Sequence, residues 1–442
     1  MKALVVPFGY NCYPADVLQK RIDDSKEHLS SLGVDYICTG SIIELTDLLP
    51  AREFMRTQDF DYIICIILSW IEATNVCELV DEYKHLPMLL WSHENLQTET
   101  ELLSFGAIAS AAVMRESFEE LAYRFKFVVG NPFDKKIEAD IQAFDAACNA
   151  IANMKTARLG YVGYTSMGMY TGLADHVKVK RTFGSELFHI DQYSLIKPSA
   201  FDSIPDSEIE RVLRELKDEW DISEKASDEN LLLTVKIYLR MKQLMQENLL
   251  CAITVKCQYE MSLEYGFSPC LALSLLGMEY PVCCEGDVNE TLSQMILHGV
   301  SGGKPTTYGD TLHFFDDGII CAACGFAPRA FLKDSKPSVD CHTAIVTGLL
   351  ITSSFKEQQI TMIRLAPYKD SYKLHLIKGR IEELKDFHEI GCPQYSGSII
   401  RFENKTVEEF KNEIMSQHYA IISGDYEREV RQWCELMGVK VI

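Results

Sequence analysis

Apolar runs alternating with amphipathic ones confine the first third of this chain to layered α/β folds. "KALVVPF" (2–8), "DYIC" (35–38), "DYIICIIL" (61–68) and "PMLLW" (87–91) are nearly continuous apolar segments, as strands covered on both faces must be. Between them, "ADVLQKRIDDSKEHLSSLG" (15–33) spaces its apolar residues at helical period and closes on Gly33. Strand–helix alternation of this kind requires a parallel sheet with helices on both faces. A long amphipathic stretch, "KKIEADIQAFDAACNAIANMKTA" (135–157), leads to a fresh strand, "RLGYVGYT", and sets a boundary near residue 156.

The theme then repeats. "SELFHID", the helical patterns "DSEIERVLRELKDEWD" and "NLLLTVKIYLRMKQLMQEN", and the strand "LCAITVKC" form a second open α/β unit. The last third changes character: "TLHFFDDGIICAACG", "HTAIVTGLLITSS", "QQITMIRLA", "YKLHLIKGRI" and "SGSIIRF" are strand-like with little helix between them, which predicts an antiparallel sheet or barrel. The chain closes with the helix "KTVEEFKNEIMSQ", the strand "HYAIIS" and the helix "DYEREVRQWCELMG". The expected fold is therefore α/β, with two open parallel-sheet, Rossmann-like domains followed by a β-rich, barrel-like domain. Its bounds are residues 1–156, 157–290 and 291–442, the last expected to contribute to the functional site.

A formal net charge of -21 argues against nucleic acid or an anionic membrane as partner, since both would repel the chain. No apolar run reaches membrane-spanning length; "YIICIILSWI" is half of one and fits a buried strand. "MKALVVPFGY" reads as a first strand, without an apolar stretch followed by a small-residue cleavage site. The 15 cysteines are odd in number and sit mostly inside apolar strand-like runs, where Cys acts as a small hydrophobe. That pattern favours a reducing cytoplasm. The CxxC of "ICAACGF" (Cys321, Cys324) has no second pair at finger-like spacing. Neither G-x-G-x-x-G after a first strand nor G-x-x-x-x-G-K-[ST] occurs, so no nucleotide site is advertised. "GYTSMGMYTG" (163–172) and "WSHENLQ" (91–97) are candidate pocket linings.

Ligands of open α/β sheets bind beyond the carboxyl ends of the strands, and three polar side chains stand at such places. Glu260 follows "CAITVKCQY", Asp287 follows "MEYPVCC", and His418 opens the last short strand. Two carboxylates and an imidazole suit a hard divalent ion such as Mn²⁺ or Mg²⁺. Each also has a plain structural reading: Glu260 as a solvated strand end, Asp287 as the N-cap of "VNETLSQMIL", His418 as a packed core histidine. Glu285 competes with Asp287, and His298, His313 and His342 compete with His418; spacing alone leaves these choices open.

Three stretches resemble the L-fucose isomerase and L-arabinose isomerase family: "PVCCEGDVNETLSQMIL" (281–297), "SQHYAIISGDYEREVRQWCELMGVKVI" (416–442) and, more loosely, "ITMIRLAPYKDSYKLHLIKGRI" (360–381). Matched position by position, the resemblance places the family's metal ligands on Glu260, Asp287 and His418, with Glu260 as base at carbon and Asp287 as partner proton carrier. This Glu, Asp and single His set is closer to the fucose than to the arabinose type. The resemblance implies a cytoplasmic, Mn²⁺-dependent aldose–ketose isomerase (other divalent ions being possible) working through an enediol intermediate. It also implies a homo-oligomer, trimeric or hexameric, acting on a free sugar, L-fucose-like, D-arabinose-like or a modified hexose. The alternative is a non-catalytic sugar-binding or regulatory protein on the same scaffold, because fold alone does not establish catalysis.

Overall fold

The computed structural model describes residues 1–342, 348–384 and 396–442. Its contacts divide the chain into two compact units, Met1–Ala152 with Arg431–Met437, and Asn153–Val430 with Gly438–Ile442. The first unit holds a five-stranded parallel sheet of β1 (Ala3–Phe8), β2 (Tyr36–Cys38), β3 (Tyr62–Ile67), β4 (Met88–Ser92) and β5 (Phe125–Val129), in the order β2-β1-β3-β4-β5. Every residue of β1, β3 and β4 is buried. The apolar runs of the sequence are thus the central strands of a sheet covered on both faces, as expected. The helix Ala15–Ser31 turns Leu18, Ile22 and Leu29 inward and ends two residues before the left-handed Gly33.

The second unit carries a second parallel sheet, of β6 (Arg158–Val162), β7 (Glu186–Ile190), β8 (Ala252–Val255) and β9 (Val282–Cys284), in the order β9-β8-β6-β7. It also carries a barrel built from β10 (Thr306–Phe314), β11 (Gly318–Ala322), β12 (Gln358–Tyr368), β13 (Ser371–Glu383), β14 (Gly397–Phe402) and β15 (His418–Ser423). These pair in the order β12-β15-β10-β11-β14-β13, and β12 pairs back on β13, closing a six-stranded antiparallel barrel that leaves no open edge. A short β16 (Lys440–Val441) adds in parallel to β13. Two parallel sheets followed by a C-terminal β-barrel is the architecture the strand pattern predicted. The stretch "HTAIVTGLLITSS" places only Leu349–Ile351 as a strand, in a small sheet with Asp221–Ile222 and Ser338–Cys341; its residues 343–347 lie outside the described residues.

One helix joins the sheet to the barrel. Val288–Val300 is buried on every side over its first ten residues, packed against β8 and β9 on one hand and β10, β12 and β15 on the other. A helix buried all round normally reads as apolar, yet this one includes Asn289, Glu290, Thr291, Ser293 and Gln294. Their polar atoms are used as fasteners. Asn289 donates to the Thr171 and Leu173 carbonyls (both 2.8 Å), Gln294 to the Val282 carbonyl (2.8 Å), and Ser293 Oγ accepts from the Leu365 backbone N–H of β12 (2.9 Å). Its N-terminus is thereby fixed where the carboxyl end of β9 meets the barrel. Among the described residues, no helix is long and apolar enough to cross a membrane.

Candidate active site

The turn Glu285–Gly286–Asp287 between β9 and this helix is sterically forced. Gly286 has φ +68°, and a Cβ there would lie 2.3 Å from the Tyr164 carbonyl oxygen, so only glycine fits. Glu285 also adopts a positive φ, 63°, uncommon for a residue with a side chain and a form of strain that concentrates at functional sites. The loop 163–172 clamps the turn from outside. Ser166 N–H donates to the Glu285 carbonyl (2.7 Å) and Thr165 Oγ1 to the Gly286 carbonyl (2.9 Å).

Asp287 emerges from this turn fully buried, with both carboxylate oxygens engaged. Oδ1 caps the helix by accepting from Glu290 N–H (2.9 Å) and accepts from Arg364 Nη2 (3.1 Å). Oδ2 contacts Arg364 Nη1 (2.9 Å) and His418 Nδ1 (2.9 Å). The N-cap reading and the site reading of Asp287 therefore hold together. Arg364, on β12, is itself fully buried and also reaches Glu290 Oε2 (3.3 Å) and the Thr171 carbonyl (2.7 Å). Burial would raise Asp287, but Arg364 and His418 hold its carboxyl well below the usual range. Glu290, with one shared contact to the same guanidinium, is pushed by burial up to about 8.

His418 opens β15 directly across from Asp310 of β10 in the antiparallel register, which is why the two side chains meet. With Nδ1 held by Asp287, its Nε2 faces Asp310 Oδ1 at 3.4 Å and Glu285 Oε2 at 3.5 Å. Burial alone would lower the imidazole, but Asp310, Asp287 and Glu285 push it up to about 10. Burial pushes Glu285 up to about 8, only partly offset by His418. The result is one ring nitrogen held by a carboxylate and the other turned toward two more, an imidazole ion-paired on both sides.

Of the three residues singled out in the sequence, the structure brings Asp287 and His418 into contact. Glu260 pairs instead with Lys256. It begins a π-helical turn, Glu260–Glu264, just after Tyr259 at φ 65°, and its side chain is half exposed. Lys256 is buried, follows β8, and lies 3.6 Å from the centre of the Tyr164 ring. Because Val255 of β8 is in register with Cys284 of β9, Lys256 and Glu285 leave the sheet side by side. The rival histidines are placed elsewhere: His298 Nδ1 meets the Lys304 carbonyl (3.0 Å), His313 stacks edge-on with Phe315, and His342 Nε2 lies 3.4 Å from the Cys270 sulfur. "WSHENLQ" belongs to the first unit, where His93 Nδ1 accepts from Arg21 Nε (3.0 Å). Glu285 was weighed in the sequence only as a competitor, and Arg364 and Asp310 were missed. An arginine inside the apolar run "ITMIRLA" was the one available signal.

No protein-family model matches the chain. It is similar to curated sulfoquinovose isomerases from several organisms. That of Alkalicoccus urumqiensis is 23% identical over 398 residues, covering 86% of each chain. That of Priestia aryabhattai is 20% identical over 442 residues, 96% of this chain and 94% of its own. That of Clostridium sp. (strain MSTE9) is 22% identical over 453 residues, 98% of this chain and 97% of its own. Likeness over nearly the whole length, to isomerases from several species, indicates an enzyme that interconverts an aldose and a ketose.

Proposed function

We propose that this protein is a divalent-ion-dependent isomerase of a free sulfonated aldose, of the sulfoquinovose kind, acting by proton transfer through an enediol of the sugar. The observation that carries this reading is the setting of His418, with Nδ1 anchored on Asp287 and Nε2 turned to Asp310 and Glu285. It stands in a chain similar over nearly its whole length to sulfoquinovose isomerases. The donor set fits a hard ion such as Mn²⁺, which takes carboxylate oxygens readily and an imidazole nitrogen besides. Glu285, neutral by burial among acidic neighbours, is a carboxyl that a cation would return to its charged form. His418 Nε2, Glu285 and Asp310 would hold the ion, and its contribution when bound is to polarise the sugar carbonyl.

The protein's own groups divide the remaining work. Asp287, with four contacts on two oxygens, keeps the imidazole in one orientation and tautomer. In this reading it positions His418, while Glu285 and Asp310 take the carboxylate ligand places that the resemblance gave to Glu260 and Asp287. Glu260 remains the proposed proton carrier at the sugar carbon. Lys256 beside it lowers its carboxyl below the usual range through their hydrogen bond, so it is ionised at neutral pH and available to accept a proton.

Glu260→Gln keeps the shape and removes that capacity. Turnover is expected to fall by about three orders of magnitude, the middle of what a positioned acid–base group contributes, with bound metal unchanged. Steady-state rates and metal analysis on the same preparation check this, and a Gln variant of ordinary activity removes Glu260 from the mechanism. The substrate is tested by incubating the enzyme with sulfoquinovose, D-glucose, L-fucose and D-arabinose and following ketose by NMR. The sulfonated sugar is expected to be converted fastest. Preference for an unsulfonated sugar would overturn the substrate, and conversion of none would overturn the proposed activity on these sugars.

A further inference from the structure

Sheet register gathers a second donor set beside the first. Cys284 ends β9 and Glu285 follows it, while Cys257 lies two residues beyond the end of β8. The two strands are parallel neighbours with Val255 opposite Cys284, so both cysteines arrive at the same edge. One ligand atom from each of Cys257, Cys284 and Glu285 lies within 4.8 Å of the others, and all three residues are buried. Cys257 and Cys284, like Cys65 on β3, border an apolar cluster. Cys284 has polar company besides: its sulfur is 2.6 Å from the Tyr308 hydroxyl and adjoins the thiols of Cys257 and Cys324. Cys324 in turn adjoins Cys270, whose sulfur meets His342. These residues come from six separate chain segments, and Cys257 and Cys284 belong to no C-x-x-C that would announce them.

We propose that Cys257, Cys284 and Glu285 form a binding site for a soft divalent cation, zinc, sharing Glu285 with the His418 cluster. Two sulfurs and one carboxylate are a donor set that zinc accepts, whereas Mn²⁺ and Mg²⁺ prefer oxygen and nitrogen. Three protein ligands leave a fourth tetrahedral position open, as in zinc sites that bind an exchangeable molecule. On binding, both thiols and the Glu285 carboxyl lose their protons to solvent, leaving two thiolates and a carboxylate as ligands.

The test uses the full-length protein, purified without chelator and then loaded with Zn²⁺ or Co²⁺ alone. Zinc is expected to copurify at near one equivalent per chain. Co²⁺ in its place is expected to give a sulfur-to-cobalt charge-transfer band in the near ultraviolet and the strong visible absorption of a four-coordinate ion. Cys257→Ser and Cys284→Ser, made singly, should each weaken that band and lose zinc. Cys321→Ser, on barrel strand β11, should keep both, and circular dichroism shows which variants are folded. A folded wild-type protein that takes up neither zinc nor cobalt with a thiolate band overturns the proposal. So does a band that persists undiminished in both folded single variants.

Discussion

Replacing Arg364 by leucine is expected to cost about 3–5 kcal/mol of stability, the usual penalty for leaving buried charge without its partner. The guanidinium is fully buried and holds two acidic side chains, Asp287 bidentately and Glu290 through one oxygen, that are equally inaccessible to water. Removing it leaves Asp287 with only the helix N-terminus and His418 to balance its charge, and forces Glu290 to stay protonated. The backbone carbonyl of Thr171 also loses one of its two donors, keeping Asn289, which loosens the loop that clamps the turn at Glu285. Arg364→Lys should recover part of the loss, because a lysine restores the charge but not the paired geometry of the fork. Urea unfolding of the full chain, followed by circular dichroism, reads the difference. A leucine variant with an unchanged midpoint would mean that Asp287 is not held by this pair.

His418→Ala is expected to leave the fold standing and remove the activity. A polarising ion contributes several kcal/mol to a reaction of this kind, and at about 1.4 kcal/mol per decade that is roughly three orders of magnitude in rate. The imidazole is the nitrogen donor beside Asp310 and Glu285 in the proposed ion site, so its removal should lower ion occupancy as well as turnover. Asp287→Asn acts one step further back. It breaks the carboxylate's hold on Nδ1 while keeping the side chain's size, and a loss of about 10–100-fold in ion affinity is expected. Equilibrium dialysis with Mn²⁺ ranks the variants. Ion binding in the His418 variant equal to that of the unaltered protein would rule out the histidine as ligand.

How far the sequence disclosed this site depended on whether the contacts were local. The strands of both parallel sheets were legible because full burial leaves an unbroken apolar run, as in "YIICII" of β3. The barrel was legible from strand density, although its closure through the long β12–β13 hairpin was not. Asp287 was visible because helix capping is a local event three residues long. Asp310 was invisible because its meeting with His418 is a matter of register between strands more than a hundred residues apart. Glu285 was underrated for a different reason: its positive φ and the tight approach of the neighbouring Gly286 to Tyr164 are tertiary features that no residue pattern announces. Arg364 could have been found by asking what a lone arginine in an apolar strand must be paired with.

The most direct test of the central claim is turnover in D₂O before and after the divalent ion is stripped and restored. The sugar is sulfoquinovose and the product is followed by NMR. An aldose–ketose isomerase built on His418, Glu285 and Asp310 should fall silent after chelation, recover with Mn²⁺, and form the ketose with solvent deuterium at C1. A stripped enzyme that turned over undiminished would contradict the account, as would a restored enzyme whose ketose carried no deuterium.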